Sequence, residues 1–344
     1  MRTSSLILAV LVTVLLTVPI AQAQFVSNVS KVGTTAATFL EVGIGARATS
    51  MGGAFVAVAN DASAIYWNPA GMARLPYSET MFVHAEWLAD ISFDNVSGVI
   101  PVGNNMALGA FVTTVSMDEM AVRTVDLPDG TGEFFDAGDM AFGASFAAML
   151  TDKLSIGVTG KYVRQYIWHM DASAVALDMG LLFDTPFDKL KLGMSISNWG
   201  SDMQMTGRDT RIYYDTDPNN PGNNDKIQGN LETETWSLPL TFRAGLSYPW
   251  DIGTEYKLIA AIDAVHPNNN YEYVNLGAEL NMRNWAYLRG GYKTLFLDDS
   301  EQGMTLGAGL RYRMHSNVAF IADITYADFG RLENVFRYSL GVQF

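Results

Sequence analysis

The residues of this chain that could do chemistry are few and scattered. Its four histidines, His84, His169, His266 and His315, stand at no metal-ligand spacing, and no helical pattern carries two of them on one face. His169, next to Met170 and Asp171, is the one that could join a hydrolytic dyad, and a histidine in a surface loop is the simpler reading. The Cys count is 0, so there is no thiolate nucleophile, disulfide or Cys metal site. The stretch from Asp215 to Asp225 carries enough oxygens to hold Ca²⁺, but its spacing departs from an EF-hand loop and reads as a solvated loop. No enzyme chemistry, metal or cofactor is therefore expected. What stands out is one cation, Arg47, inside a run of small residues over 41–71, EVGIGARATSMGGAFVAVANDASAIYWNPAG. That run has too little bulky apolar surface to form a core by itself, so the rest of the chain must supply walls and the carboxylates that hold the guanidinium. Gly45, Gly52, Gly53 and Gly71 do not make a nucleotide loop, because no Lys-Ser/Thr follows and no strand and helix flank them.

Composition narrows the partners. Of 344 residues only 17% are charged, and 36 Asp and Glu against 22 Lys and Arg give a net charge of −14. Phosphate backbones are recognised by clustered cations, so nucleic acid is excluded as a partner. Arg2, an apolar run over 6–18 and the small residues of Ala21-Gln22-Ala23 read as a signal peptide over 1–23, with the mature chain starting at Gln24. The apolar run is shorter than the ~20 residues of a spanning helix, which argues against an uncleaved anchor. No later run is long enough either, so a membrane-embedded form of this chain must be a closed sheet.

The elements that would position Arg47 are strands. In the last segment Phe336, Tyr338, Leu340, Val342 and Phe344 alternate with Arg337, Ser339, Gly341 and Gln343, a period of two. Similar alternation runs through Met304 to Arg313, Val318 to Tyr326 and Leu154 to Lys161. Arginines on the inner face suit a wet lumen with lipid outside, and they argue against a soluble all-β sandwich. Read from 79 to 344, the pattern gives about fourteen strands of roughly 9 to 11 residues or longer, the eighth over 234–248 with its turn at 249–254. Short links at one end alternate with links at the other, two of them long, 118–136 and 200–233. Trp87, Trp168, Trp199 and Trp236 fall toward the long-link rim, and Trp250 and Trp285 toward the short-turn rim, as two aromatic girdles would. The expected fold is an all-β membrane protein, a closed antiparallel transmembrane β-barrel over 79–344 with residues 24–78 as a plug in its lumen. Asp178, Glu279 and Asp323 fall on inward positions and are the candidate holders of Arg47. Asp61 or Ser63 is placed to cap a helix over 64–67, which must stop at Asn68 because Pro69 disfavours helical backbone before it.

The order Phe39-Leu40-Glu41-Val42-Gly43-Ile44-Gly45-Ala46-Arg47-Ala48, Met51-Gly52-Gly53-Ala54, Asn60-Asp61-Ala62-Ser63-Ala64 and Trp67-Asn68-Pro69-Ala70-Gly71 resembles the amino-terminal signature of the PorV/PorQ family. Those outer-membrane barrels are associated with type IX secretion and belong to the wider FadL-like superfamily of hydrophobic-compound transporters. The resemblance implies that the stretch is a hatch inside the barrel, ending in a similar Asn-Pro-Ala. It implies either a role in protein secretion, with secretion components or cargo as partners, or transport of a small hydrophobic ligand. For such a ligand Phe134, Phe135, Ile212, Tyr213 and Tyr214 in the long links are the candidate contacts. Tyr338, Leu340, Val342 and Phe344 resemble the terminal signal read by the barrel-assembly machinery, with Ser339 where Gly is common.

Overall fold

The computed structural model describes residues 31–344 except 218, 220–223, 225 and 316–317, so the expected signal peptide lies outside the described residues. Fourteen antiparallel strands close one barrel. They are β1 (Glu79–Glu86), β2 (Ser92–Val102), β3 (Met106–Ser116), β4 (Ala137–Met149), β5 (Leu154–Ile167), β6 (Met170–Asp184) and β7 (Lys191–Gly200). The second half is β8 (Thr241–Ile252), β9 (Tyr256–Pro267), β10 (Tyr273–Met282), β11 (Ala286–Leu295), β12 (Met304–His315), β13 (Val318–Asp328) and β14 (Asn334–Gln343). Each strand pairs with its neighbour in sequence, and β14 returns to β1 from Glu79↔Gln343 to Ala85↔Arg337. Ser78 and Phe344 extend that seam by exchanging backbone hydrogen bonds of 3.0 Å. Closure pairs every wall strand on both sides, the condition for crossing lipid without unsatisfied backbone.

The period of two sets the faces. Along β14, Val335, Arg337, Ser339 and Gln343 are buried while Phe336, Tyr338, Leu340 and the terminal Phe344 are exposed on the outside. Links at the short-turn end are three to six residues where described, whereas the opposite end carries 117–136 and 201–240. Small hairpins order those two: Met120–Ala121 with Phe134–Phe135, and Arg211–Tyr214 with Ile227–Asn230.

Several expectations change. The eighth strand runs over Thr241–Ile252, not 234–248. Pro239 has no N–H to give a ladder, so pairing begins after it, and Thr235–Trp236 instead pairs with Met203–Gln204 in the long link. Pro249 sits within β8 where only β9 pairs with it, since the ladder to β7 stops at Ser247↔Lys191. Trp87 is not a girdle residue: it packs edge-on against Phe329 at 5.2 Å, next to the inner apolar cluster. The lumen, finally, is not wet throughout. Met51, Phe55, Val56, Ile65, Trp67 and Met72 are buried within the barrel against wall residues such as Val83, Phe93 and Val99. The small residues of the inner wall leave room for these larger side chains, so apolar burial holds the segment where water was expected.

Residues 31–78 form that filling. They run through a 3₁₀ turn (Thr38–Glu41), α1 (Ala46–Ser50), α2 (Ala64–Trp67) and a second 3₁₀ turn (Pro69–Arg74). The second helix ends where expected, with Asn68 extended (φ −163°, ψ 98°) before Pro69 and its Oδ1 accepting from Ala70 N at 3.2 Å. Its start differs from expectation. No side chain caps α2; the Asp61 carboxylate accepts from Ser63 N (3.0 Å) and Ser63 Oγ (2.5 Å) in a turn before the helix.

Candidate functional site: the ion network and pins of the luminal segment

Arg47 leaves α1 toward β10. Its Nε and Nη2 donate to the two oxygens of Glu279 at 2.7 and 2.9 Å, the bidentate fork that a planar guanidinium makes with a carboxylate. Nη1 donates to Asp61 at 3.0 Å and to Asn60 Oδ1 at 2.7 Å. Glu279 also accepts from Arg289 Nε on β11 at 2.6 Å, and Arg289 Nη1 reaches Asp323 on β13, also at 2.6 Å. Five charged groups thus form one chain between segment and wall, with Glu279 and Arg289 almost wholly buried. Asp323 joins through Arg289 and not by touching Arg47. Asp178 stands apart: it is inward, but it serves Lys161 Nζ at 2.8 Å and Asn198 N at 2.7 Å. Asp178 lies on β6, four strands around the wall from Glu279 on β10, and beside it a register shift between β6 and β7 at Leu177/Met179 accompanies the positive φ of Asn198 (66°).

Around this network the wall grips the segment's backbone. Ser339 Oγ accepts from Ala46 N at 2.7 Å, and Thr325 Oγ1 donates to Ala46 O. Thr305 Oγ1 accepts from Gly52 N and donates to Ser50 O, both at 3.0 Å. Asp263 on β9 accepts from Phe55 N and Val56 N at 2.8 and 2.9 Å. Asn68 Nδ2 donates to Val56 O and to Leu181 O on β6 at 2.8 and 2.9 Å. Arg74, just past the small-residue run, binds Asp184 (2.5 Å), Ser155 Oγ (3.0 Å) and the carbonyl of Lys153 (2.8 Å). Trp67 Nε1 donates to Ile44 O at 2.8 Å, closing the segment on itself.

The glycines make this approach possible. Gly52 has φ +65°, and a Cβ there would come within 2.7 to 2.8 Å of backbone atoms of Leu276 and Tyr292. Across from it the wall answers with glycine: a Cβ on Gly277 would strike Met51 O, and one on Gly291 would strike Gly52 N. Gly157 and Gly193 take the same part against Pro69 and Val56. Gly71 is packed against Ala59 O, Gly45 (φ +87°) starts α1, and Gly53 (φ +74°) lies against the Trp67 ring.

Asp263, Arg289, Arg74 and the inward wall glycines were not singled out from sequence. For Asp263, Arg289 and the glycines the signal was parity alone, an inward place on a strand, and parity does not say which of them meets the segment; Arg74, on the segment itself, had no such signal. The loop candidates are placed on the two hairpins, Phe134 and Phe135 on one and Ile212, Tyr213 and Tyr214 on the other, with Phe134, Tyr213 and Tyr214 well exposed. Tyr338, Leu340 and Phe344 face outward, with Val342 between them half-buried.

Residues 25–180 match the family described as PorV, Type IX secretion system protein PorV. The chain is similar to that family over this stretch, and it is an outer-membrane barrel. No curated protein matches it. Among solved structures, the CymD monoaromatic hydrocarbon channel is similar over 88% of this chain and 97% of its own, at 15% identity and TM-score 0.57. The Ralstonia pickettii toluene transporter TbuX is similar over 88% and 97%, at 13% identity and TM-score 0.53. The Pseudomonas putida toluene transporter TodX is similar over 88% and 96%, at 13% identity and TM-score 0.54. At these identities the likeness is one of fold. In outer-membrane barrels the long links face outside and the short turns face the periplasm.

Proposed function

We propose that this barrel serves type IX protein secretion, meeting exported proteins or secretion components through its outer links while a plug keeps the lumen shut to ions. The family match over 25–180 is the observation that carries this reading. Residues 1–23 are the signal peptide, 24–78 the plug and 79–344 the barrel. Arg47 is the latch, holding Asp61 and Glu279 across the boundary between plug and wall, with Asp323 behind them; Asp178 is left out of it. Tyr338, Leu340, Val342 and Phe344 are the signal to the barrel-assembly machinery, and their outward row then faces lipid. We assign no catalytic role to any residue. Affinity capture of the tagged chain from its native outer membrane tests the reading: recovery of secretion components or cargo supports it, and their absence sinks it.

A second reading, transport of a small hydrophobic compound, is favoured by an apolar cleft beside the plug lined by Phe39, Leu40, Ile44, Ile65, Phe93 and Phe111. Loss of uptake of such a compound on deletion of the chain, with secretion intact, would favour it over the first.

A further inference from the structure

We propose that the polar cavity at the short-turn end of the lumen binds a small zwitterion of the amino-acid class. The cavity measures about 180 Å³ and lies between the luminal segment and the wall from β9 round to β1. Glu79, Lys257, Arg311 and Gln343, all near the short-turn ends of their strands, line it together with Arg47 and Asp61 of the segment.

Two of its charged groups stand outside the Arg47 network. Glu79 is 3% exposed and makes no ion pair among the described residues; its Oε2 accepts from Gln343 Nε2 at 3.1 Å. Arg311 makes none either. Its Nη2 donates to Oε1 of the same Gln343, its Nε is buried and unbonded, and its Cζ lies 5.7 Å from the centre of the Tyr77 ring. One amide thus touches both a carboxylate and a guanidinium and neutralises neither. Lys257 is a third lining group without an ion pair among the described residues. Buried charge held by so few partners is costly unless a counter-charge completes it.

Charge balance selects the ligand. The lining carries four cations and four carboxylates, so the cavity is neutral as a whole while Glu79 and Arg311 remain locally uncompensated. A simple cation would serve Glu79 and leave a net charge, and a simple anion would do the same at Arg311. A zwitterion serves both and keeps the sum at zero. In that pose an ammonium meets Glu79 and a carboxylate meets the Arg311 guanidinium, whose planar fork suits it, with Lys257 as a second cation. Size narrows the class further: at the ~30 Å³ that a water occupies in the liquid, the cavity takes roughly six heavy atoms, the count of alanine. Met81, Ile259 and Ile321 line the same space and give a short apolar side chain its contacts. The site goes beyond the secretion reading and does not depend on it.

The test is isothermal titration calorimetry on the purified full chain in non-ionic detergent at neutral pH. Probes are L-alanine, L-alanine amide, which lacks the carboxylate, N-acetyl-L-alanine, which lacks the ammonium, and L-tryptophan, which is too large for the cavity. Saturable binding of alanine, at least about tenfold tighter than that of any other probe and weakened about as much by Arg311→Gln and by Glu79→Gln, is the expected result. Either singly charged probe binding as tightly as alanine overturns the proposal, and so does tryptophan binding as tightly. No saturable heat with alanine, the outcome for a cavity that holds only water, overturns it too, as does alanine binding unchanged in Arg311→Gln. The comparison among probes uses the unaltered chain, so it holds even where a variant folds poorly.

Discussion

Two groups of buried cations face each other across the plug, and they are built on different terms. Toward the periplasm, Arg47 and Arg289 are each bound to carboxylates at 2.6 to 3.0 Å, and Glu279 serves both. Toward the outside, Arg243 and Arg337 rest on aromatic faces with one long hydrogen bond between them. The chain supplies carboxylates to one group, whereas near the other Glu41 and Asp263 are bound to Asn269 and to the amides of Phe55 and Val56. A completed ion network fixes structure, and cations without one are held by the packing around them.

Substitutions can break or sharpen that contrast. The largest effect is expected for Glu279→Ala, which removes the carboxylate shared by Arg47 and Arg289 and leaves them only Asp61 and Asp323: a loss of about 3–5 kcal/mol, read as a lower unfolding temperature in detergent. Asp263→Ala leaves the amides of Phe55 and Val56 without an acceptor and should cost about 1–3 kcal/mol, with the plug rather than the wall losing protection from hydrogen exchange. Arg47→Ala leaves Glu279 its second arginine, so the barrel should stay folded while ion leak through planar bilayers rises; unchanged conductance would remove Arg47 as the latch. On the outward side the sign should reverse. Arg337→Met, which replaces an unbonded cation with an apolar chain, is expected to keep or slightly raise the unfolding temperature. The smallest effect belongs to the exposed Arg331 and Glu301 outside the wall. Arg331 holds the Glu301 carboxyl below its usual range, so the pair's contribution is present above the ordinary carboxylate pKa and fades as pH falls through the lowered value; Arg331→Gln should leave the unfolding temperature at neutral pH unmoved.

Much of the wall was legible because lipid and lumen impose a strict alternation. Strands such as β14, with Arg337 and Ser339 inward and Tyr338 and Leu340 outward, are read correctly from parity alone. Where a strand begins is less legible: near Pro239 the alternation continues past the point where pairing can, and the ladder decides. The latch was half legible. Glu279 and Asp178 had the same parity and chemistry, but only Glu279 meets Arg47, because the two stand four strands apart around the wall and parity does not say which part of it the segment's arginine faces.

The order of residues was enough for a membrane-crossing barrel around a small-residue run, since the period of two and that run are properties of neighbouring residues. Only the fold shows that Phe55 and Trp67 are buried inside the barrel, that Asp263 holds the backbone of the luminal segment, and that Glu279 joins Arg47 to Arg289. Those are facts about residues more than two hundred positions apart, brought together by the luminal segment's place inside the barrel and by the closure of β14 onto β1, and no local pattern encodes which of them meet.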